Sequence, residues 1–448
     1  MIGVPGADPD DLAWLLDVCR PIAERFVGAG HEILLVGGAV RDLATGRDVR
    51  RPDLDLTTDA RPPETLRLLD GWVDAVWRQG ERFGTIGARR GDHELEVTTF
   101  RAEAYDPDSR KPTVTFGDRV EDDLARRDFT VNAMALRLPD GELVDPHDGL
   151  SDLAARRLRT PLAPEVSFSD DPLRMLRAAR FAAGYGLDPD PTVVAAARAL
   201  AGRMDIVSIE RIHDELTKLL RLPDPAAGLR FLVATDLAGH TLPELAAAER
   251  DVLDGACAAV AAVPWDPERG PDALLRLVVL LVALDPAAMG AAGPSAAGHR
   301  IGGRLAALRH SAVDTARGRH VGAGAAAALA GVDTDARARE VLAAAGTHAS
   351  DVLVAAASLV GLPGTDAVPA AVERLARVLA SEPDLVALAP ELRGDEVMAR
   401  YGIGSGPEVG RALAAVRAAR LAEGPLGDER AWEVVDGVLG DGSGPSDT

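Results

Sequence analysis

The chain has 448 residues, with 49 Lys+Arg against 70 Asp+Glu and a formal net charge of −21. Its length exceeds what one hydrophobic core supports, and 47% hydrophobic with 27% charged residues excludes wholesale disorder. So negative a charge argues against an indiscriminate nucleic-acid binder, because phosphate backbones attract positive proteins. Cys19 and Cys257, the two cysteines, make neither a disulfide framework nor a zinc site. No apolar run reaches bilayer length; the best candidate, Leu274–Leu284, is short and carries Arg276, so a buried helix is expected. Asp8, Asp10 and Asp11 fill the region that a signal peptide would make basic and then apolar. A cytoplasmic location with no membrane partner is therefore expected. Almost every cation is Arg, with Lys111 and Lys218 the only lysines.

In chain order, Leu12, Leu15, Leu16, Cys19, Ile22 and Phe26 recur at helical spacing, predicting a helix over 11–27. Ile33–Val36 is a short apolar strand stopped by Gly37-Gly38, and a helix is expected from about Ala39 to Thr45. Asp53–Thr57 alternates acid and apolar residues, as a half-buried strand does. Phe83–Arg89 and Glu94–Phe100 predict two strands joined at Gly91-Asp92, a hairpin signal. From about Leu150 the pattern turns helical, with helices expected over Pro172–Ala183, Pro191–Arg203, Ser208–Leu220 and Ala226–Thr235. Residues 251–380 are Ala-rich and helical, and the chain from Gly437 is Gly/Ser/Asp-rich and expected to be disordered. No internal repeat emerges.

Three patterns carry chemistry. Asp53 and Asp55 lie two apart on a strand, so both carboxylates project to one side while Leu54 and Leu56 turn inward. Two such carboxylates repel unless a cation sits between them, and hard oxygen pairs suit Mg²⁺ with substrate phosphates. Upstream, Leu34-Leu35-Val36-Gly37-Gly38-Ala39-Val40-Arg41-Asp42 is a strand, two glycines and a helix start, which lets backbone approach a phosphate closely. Glycines followed after a short helix by Asp-X-Asp point to nucleotidyl transfer from a nucleoside triphosphate. Either Glu94 or Glu96 is placed to add a third carboxylate. Third, Glu121-Asp122-Asp123-Leu124-Ala125-Arg126-Arg127-Asp128-Phe129-Thr130-Val131-Asn132-Ala133 alternates charge before an apolar run. It fits a surface ion-pair set or a site with Arg126 or Arg127 on triphosphate and Asp128 on a ribose hydroxyl.

Gly-Gly-Ala-Val-Arg-Asp, Asp-Leu-Asp and Arg-Arg-Asp-Phe-Thr-Val-Asn-Ala, in this order, resemble the class II CCA-adding tRNA nucleotidyltransferase and bacterial poly(A) polymerase family. The resemblance extends through Asp145-Pro146, Gly149, Asp170-Asp171-Pro172-Leu173-Arg174-Met175-Leu176-Arg177 and Ser208-Ile209-Glu210-Arg211, and returns at Leu392–Gly424. It implies an α+β chain: a small mixed-sheet, polymerase-beta-like nucleotidyltransferase head (1–148), then an all-helical neck that reads the base and binds RNA (149–245), a helical body (246–385) and a helical tail (386–448). It implies addition of C, C and A to tRNA 3′ ends from CTP and ATP, with Mg²⁺ and release of pyrophosphate. The resemblance makes Asp53 and Asp55 catalytic metal ligands. Gly37, Gly38 and Arg41 would hold triphosphate, and Arg127, Asp128 and Arg177 the incoming nucleotide. Asp171 and Arg174 would read the base edge. Asp170 and Asp171 are also expected to pair with Arg174 at i,i+4 and i,i+3 on one helix; Asp170 stands where the family usually has Glu.

Arg156, Arg157, Arg159 and Arg180, with Arg126, Arg127 and Arg177, are expected to line an RNA groove on an otherwise acidic protein. Arg101–Pro112 resembles the family loop required for adding the terminal A. Ala273–Pro286 resembles the helix that bears a His-Asp pair in relatives with an HD domain, but Val282 and Ala283 stand there, so a degenerate HD body is expected. His147-Asp148 and His213-Asp214 fall inside other motifs and are not expected to bind metal. The rivals are a poly(A) polymerase, an A-adding enzyme and a non-catalytic RNA-binding protein, the last disfavoured by intact Asp53 and Asp55. Oligomeric state is not legible.

Overall fold

The computed structural model describes residues 4–50, 53–104, 113–266, 270–285, 291 and 293–440. Contacts divide the chain into two units: Met1–Val207 with Arg230–Thr241, and Ser208–Leu229 with Leu242–Thr448.

The first unit opens with α1 (Pro9–Gly28), started by Asp8, whose side chain accepts from the Asp10 amide, a standard N-cap. Then come β1 (Ile33–Val36), α2 (Gly38–Ala44), β2 (Leu54–Thr58), α3 (Pro62–Leu69), β3 (Ala75–Trp77), β4 (Thr85–Arg90) and β5 (His93–Thr99). A ribbon of β6 (Arg101–Ala104) and β7 (Thr113–Phe116) precedes α4 (Val120–Ala125), β8 (Ala135–Arg137) and β9 (Glu142–Val144). Seven strands form one sheet in the order β3-β4-β5-β2-β1-β8-β9. Only the central pair β2–β5 is parallel; the remaining neighbours are antiparallel.

Strand alternation decides what faces the site. One side of the sheet buries Leu54 and Leu56 (β2), Ile86 and Ala88 (β4) and Leu95 and Val97 (β5) with Leu15, Cys19, Ile22 and Phe26 of α1. The other side is left to Asp55, Glu94 and Glu96, all exposed. β1 has no polar face: Leu34 and Val36 are buried with Phe100, Leu124 and Ala133 on the second side. That small second core supports the strand end from which the glycine turn departs.

Four helices follow: α5 (Gly149–Ala154), α6 (Pro164–Asp170), α7 (Leu173–Tyr185) and α8 (Pro191–Ala199). The predicted helix over Pro191–Arg203 stops at Ala199 and continues as a tighter 3-10 turn over Ala201–Ile206. In the second unit, α9 (Ile209–Leu220) matches its expected span. Ala273–Ala283 is buried along its whole length from Leu274, as expected of a core helix. Its Arg276 donates to the carbonyls of Leu220 (3.0 Å) and Pro223 (3.3 Å), which end α9.

Three expectations change. Asp335–Ser358 is apolar and long enough to cross a bilayer by composition, contrary to the reading that no such run exists. It is two helices, Asp335–Ala345 and Ala349–Ser358, joined by a 3-10 turn. Gly437–Leu439 belongs to the helix Gly427–Leu439 rather than to a disordered end; residues beyond 440, and Tyr105–Pro112 of the expected A-addition loop, lie outside the described residues. Asp170 and Arg174 are on different helices, α6 and α7, because Asp171 adopts an extended conformation between them. The two residues therefore do not share one helix.

Candidate active site

Asp53 stands one residue before β2 and Asp55 is its second residue, level with Glu96 of β5. Level residues on neighbouring strands share a face, so Asp55 and Glu96 point the same way. Withdrawal from water raises the Asp55 carboxyl, and Asp53 raises it further against the pull of Arg127 and Arg177. Glu96 is raised first by withdrawal from water and then by Asp55, Asp53 and Glu94. Asp55 and Glu96 therefore feel each other in a cavity of about 240 Å³ whose other walls include Val36, Thr85, Arg126 and Arg127.

The glycine turn borders this cavity. Gly37 has φ +73°, a left-handed conformation that favours glycine. A Cβ on Gly37 would lie 3.2 Å from Arg127 Nη1 and 3.8 Å from Asp55 Oδ2. The missing side chain leaves room between a cation and a carboxylate. The Gly37 amide donates to the Met134 carbonyl, one residue before β8, at 3.3 Å, so that amide is not a spare phosphate donor.

Asp123 is a hub that sequence reasoning passed over. It is fully buried on α4, accepts from Arg126 Nε and Nη2 at 3.0 and 2.8 Å, from Arg127 Nη2 at 3.4 Å and from Thr57 Oγ1 at 3.2 Å. Burial works against its charge, but Arg126 and Arg127 outweigh that and hold its pKa below the usual range. The spacing of Asp123 to Arg126 and Arg127 was visible as an ion-pair pattern; its burial was not.

Asp128 centres a second network. Its Oδ1 accepts from the Phe129 amide and from Asn132 Nδ2, each at 2.9 Å. Its Oδ2 accepts from Arg177 Nε and Nη2 at 2.8 and 2.6 Å. Asn132 Oδ1 accepts from Arg41 Nη1 at 2.6 Å, so the amide orientation is fixed by a donor on one side and a carboxylate on the other. Burial opposes the Asp128 charge, yet Arg177 and Asn132 depress its pKa to about 2. Arg41 is buried, pairs with Asp42 at 2.9 Å and lies over the Tyr185 ring at 4.1 Å. The Arg41 guanidinium, expected to hold triphosphate, is in contact with Asn132, Asp42 and the Tyr185 ring.

Arg174 is buried and donates to Ser167 Oγ at 2.8 Å and to the Arg126 carbonyl at 2.5 Å. The Asp171 side chain accepts from the Leu173 amide at 3.1 Å, starting α7. Arg157 and Arg159 donate to buried Asp152 at 2.8 Å each, which also accepts from Thr130 Oγ1 at 2.7 Å. Arg156 is exposed, and Arg180 lies over the Phe181 ring at 4.8 Å. Arg126, Arg127, Arg157, Arg159 and Arg177 are thus each anchored on one of three buried aspartates, Asp123, Asp152 and Asp128. The sequence suggested an open basic groove; the fold makes most of these cations fixed and partly neutralised.

Among the described residues no three His, Cys, Asp or Glu form a ready-made metal cage. The Asp53, Asp55 and Glu96 set suits a hard divalent cation that completes its shell with water and phosphate, since its acids crowd one another on one face. A second cavity, about 490 Å³, lies in the second unit beside His213, His310 and Arg317. Asp272 and Asp351 already hold Arg317.

Acids on the open face of a mixed sheet, beside a glycine turn and fixed arginines, define a nucleotidyltransferase head. Residues 33–159 match the Poly A polymerase head domain, and residues 186–249 match the probable RNA and SrmB-binding site of polymerase A. The chain is 39% identical over 227 residues to the CCA-adding enzyme of Latilactobacillus sakei, covering 50% of this chain and 55% of that one. The corresponding enzyme of Leuconostoc citreum is 38% identical over 219 residues, covering 49% and 53%. These matches span about half the length of the curated relatives. The crystal structure of the Bacillus stearothermophilus CCA-adding enzyme in complex with CTP aligns with a TM-score of 0.72 at 27% identity, over 97% of this chain and 99% of that one. A Thermotoga maritima CCA-adding enzyme complexed with tRNA shares the fold, with a TM-score of 0.59 at 21% identity over 97% and 96%. Across residues 33–249 the chain is similar to CCA-adding enzymes and matches the head and RNA-binding domains of poly(A) polymerases. Nucleotidyltransferases of this family normally use divalent metal ions.

Proposed function

We propose that this chain adds C, C and A to tRNA 3′ ends from CTP and ATP, releasing pyrophosphate, with Mg²⁺ as the divalent ion and the cytoplasm as its location. The observation that carries the reading is the juxtaposition of Asp55 and Arg127 at the empty side of Gly37, with Glu96 level with Asp55 on the neighbouring strand. Asp53 and Asp55, with Glu96 beside them, would hold the metal. Bound there, the ion would make the acceptor hydroxyl easier to deprotonate and offset charge on the phosphates. Arg127, fixed by Asp123, meets negative charge building on the leaving pyrophosphate. Gly37 and Gly38 keep side chains out of the space the triphosphate takes, while Arg41 braces the turn through Asn132.

Asp128 and Arg177 form the floor under the incoming sugar. Arg174 and Asp171 select the base. The fixed hold of Ser167 and the Arg126 carbonyl on Arg174 supports this role, because a protein template needs donors that do not move. Arg156, Arg157, Arg159 and Arg180 contact the tRNA backbone. We assign residues 1–148 to the head, 149–245 to the neck, 246–385 to a body of degenerate HD ancestry and 386–448 to the tail.

The test offers purified protein three tRNA transcripts, ending before the first C of the tail, after one C and after both, with CTP or ATP. Ordered extension of all three is expected. Extension of only the CC-ended transcript would make the chain an A-adder, and long A tails on unrelated RNA a poly(A) polymerase. No incorporation by the wild-type protein would remove every enzymatic reading and leave a binding protein. Asp55→Ala abolishes incorporation, and Arg174→Ala blurs the choice between CTP and ATP; unchanged selectivity in the latter would refute the template assignment.

A further inference from the structure

We propose that the outer half of the carboxylate face, formed by Trp77 on β3 and Arg89 on β4, receives the 3′-terminal nucleotides of the RNA acceptor; this rests on the nucleotidyl-transfer reading above. Asp55 is level with Glu96, Glu96 with Gly87, and Gly87 with Trp77. One row of residues therefore crosses β2, β5, β4 and β3 on a single face. A Cβ on Gly87 would lie 1.8 Å from Trp77 Nε1 and 2.4 Å from its Cδ1 and Cε2. The indole thus lies across the Gly87 backbone, on the same face as Glu96. Glycine inside a strand commonly marks such a close approach, and here it clears the way for a partly exposed aromatic ring.

The lateral order of the sheet says what the ring is for. The glycine turn follows β1, on one side of Asp55, whereas Glu96, Gly87 and Trp77 follow on the other. In-line displacement requires the attacking hydroxyl to approach the phosphorus opposite the departing pyrophosphate. With pyrophosphate at Gly37 and Arg127, the acceptor enters over β5, β4 and β3. A stacking surface suits that position, because the terminal base changes with each addition and every base offers a π-face. Arg89 lies two residues from Gly87 on the same face, roughly 7 Å along the strand. It is exposed and lies level with Glu94 of β5. Unlike Arg126, Arg127 and Arg177, it is not tied to a buried aspartate, so it is available to an acceptor phosphate.

The test uses the full chain with tRNA transcripts lacking the tail, and measures KM for the acceptor and for CTP separately. Trp77→Ala is expected to raise the acceptor KM by about 10-fold while CTP KM changes little, and Trp77→Phe to restore most of the loss. Arg89→Ala is expected to raise the acceptor KM and reduce its salt dependence. Should Trp77→Ala fail to fold, Gly87→Ala carries the same test, since its methyl must push the indole aside. An unchanged acceptor KM in the folded variants, or an equal rise in both KM values, overturns the assignment. Absence of incorporation by the wild-type protein overturns the nucleotidyl-transfer reading itself, and this inference with it.

Discussion

Asp128→Asn tests the network behind the site most directly. The substitution keeps shape and removes charge. Both oxygens of Asp128 accept: one from Phe129 and Asn132, the other twice from Arg177. Whichever way the new amide turns, its NH₂ faces donors, and Arg177 loses the charge of Asp128. Lowering of the carboxyl from 3.8 to about 2 corresponds to roughly 2 kcal/mol at 1.36 kcal/mol per pH unit. Loss of one member of a buried pair adds the cost of the stranded partner, so about 3 kcal/mol in total is expected. Because the folded pKa is depressed, this stability is present in full above the unfolded value of 3.8 and is lost as pH falls towards 2. Urea unfolding of wild type and variant, with the transition of the first unit fitted by itself, supplies the difference. It should be about 3 kcal/mol near neutral pH and shrink between about pH 4 and pH 2. A difference below about 0.5 kcal/mol, or one that does not diminish in acid, would refute the reasoning.

Asp123→Ala removes the buried carboxylate that Arg126 and Arg127 share, and should cost about 3–5 kcal/mol in denaturant titration. Gly149→Ala would bring a methyl to 2.4 Å from the Thr130 carbonyl oxygen and 2.8 Å from Met134 Cγ; a loss of about 1–3 kcal/mol is expected, read as a lower Tm. Arg276→Leu strands the carbonyls of Leu220 and Pro223, and should lower the stability of the second unit by about 2–3 kcal/mol in the same urea titration; an unchanged midpoint would show that water replaces the guanidinium.

Much of this protein was legible in one dimension because its signals are local. Strand alternation fixed Leu54 and Leu56 inward and Asp53 and Asp55 outward, and Gly37-Gly38 after an apolar strand announced the turn. Period and turn chemistry act over a few residues, so β1, β4, β5 and α9 fell within a few residues of their expected spans. The roles of charged residues were not legible in the same way. Asp123, Asp128 and Asp152 look like surface acids in the sequence, and become anchors only because the fold removes water from them and brings arginines 3 to 49 positions away to their oxygens. The same burial took Arg41 out of the cavity and fixed Arg126, Arg127, Arg157 and Arg159, where composition alone suggested an open basic groove. The break at Asp171 put Asp170 and Arg174 on separate helices, which helical spacing could not foresee.

The opening charge of −21 is thereby recast. The sequence by itself determined that acids outnumber cations and that Asp53 and Asp55 sit at the start of an alternating strand. Only the tertiary structure decided which acids face water and which hold arginines in place, because the cost of burying a charge depends on the partners that packing supplies. Only strand register, a long-range property, set Trp77, Gly87, Glu96 and Asp55 in one row across the sheet.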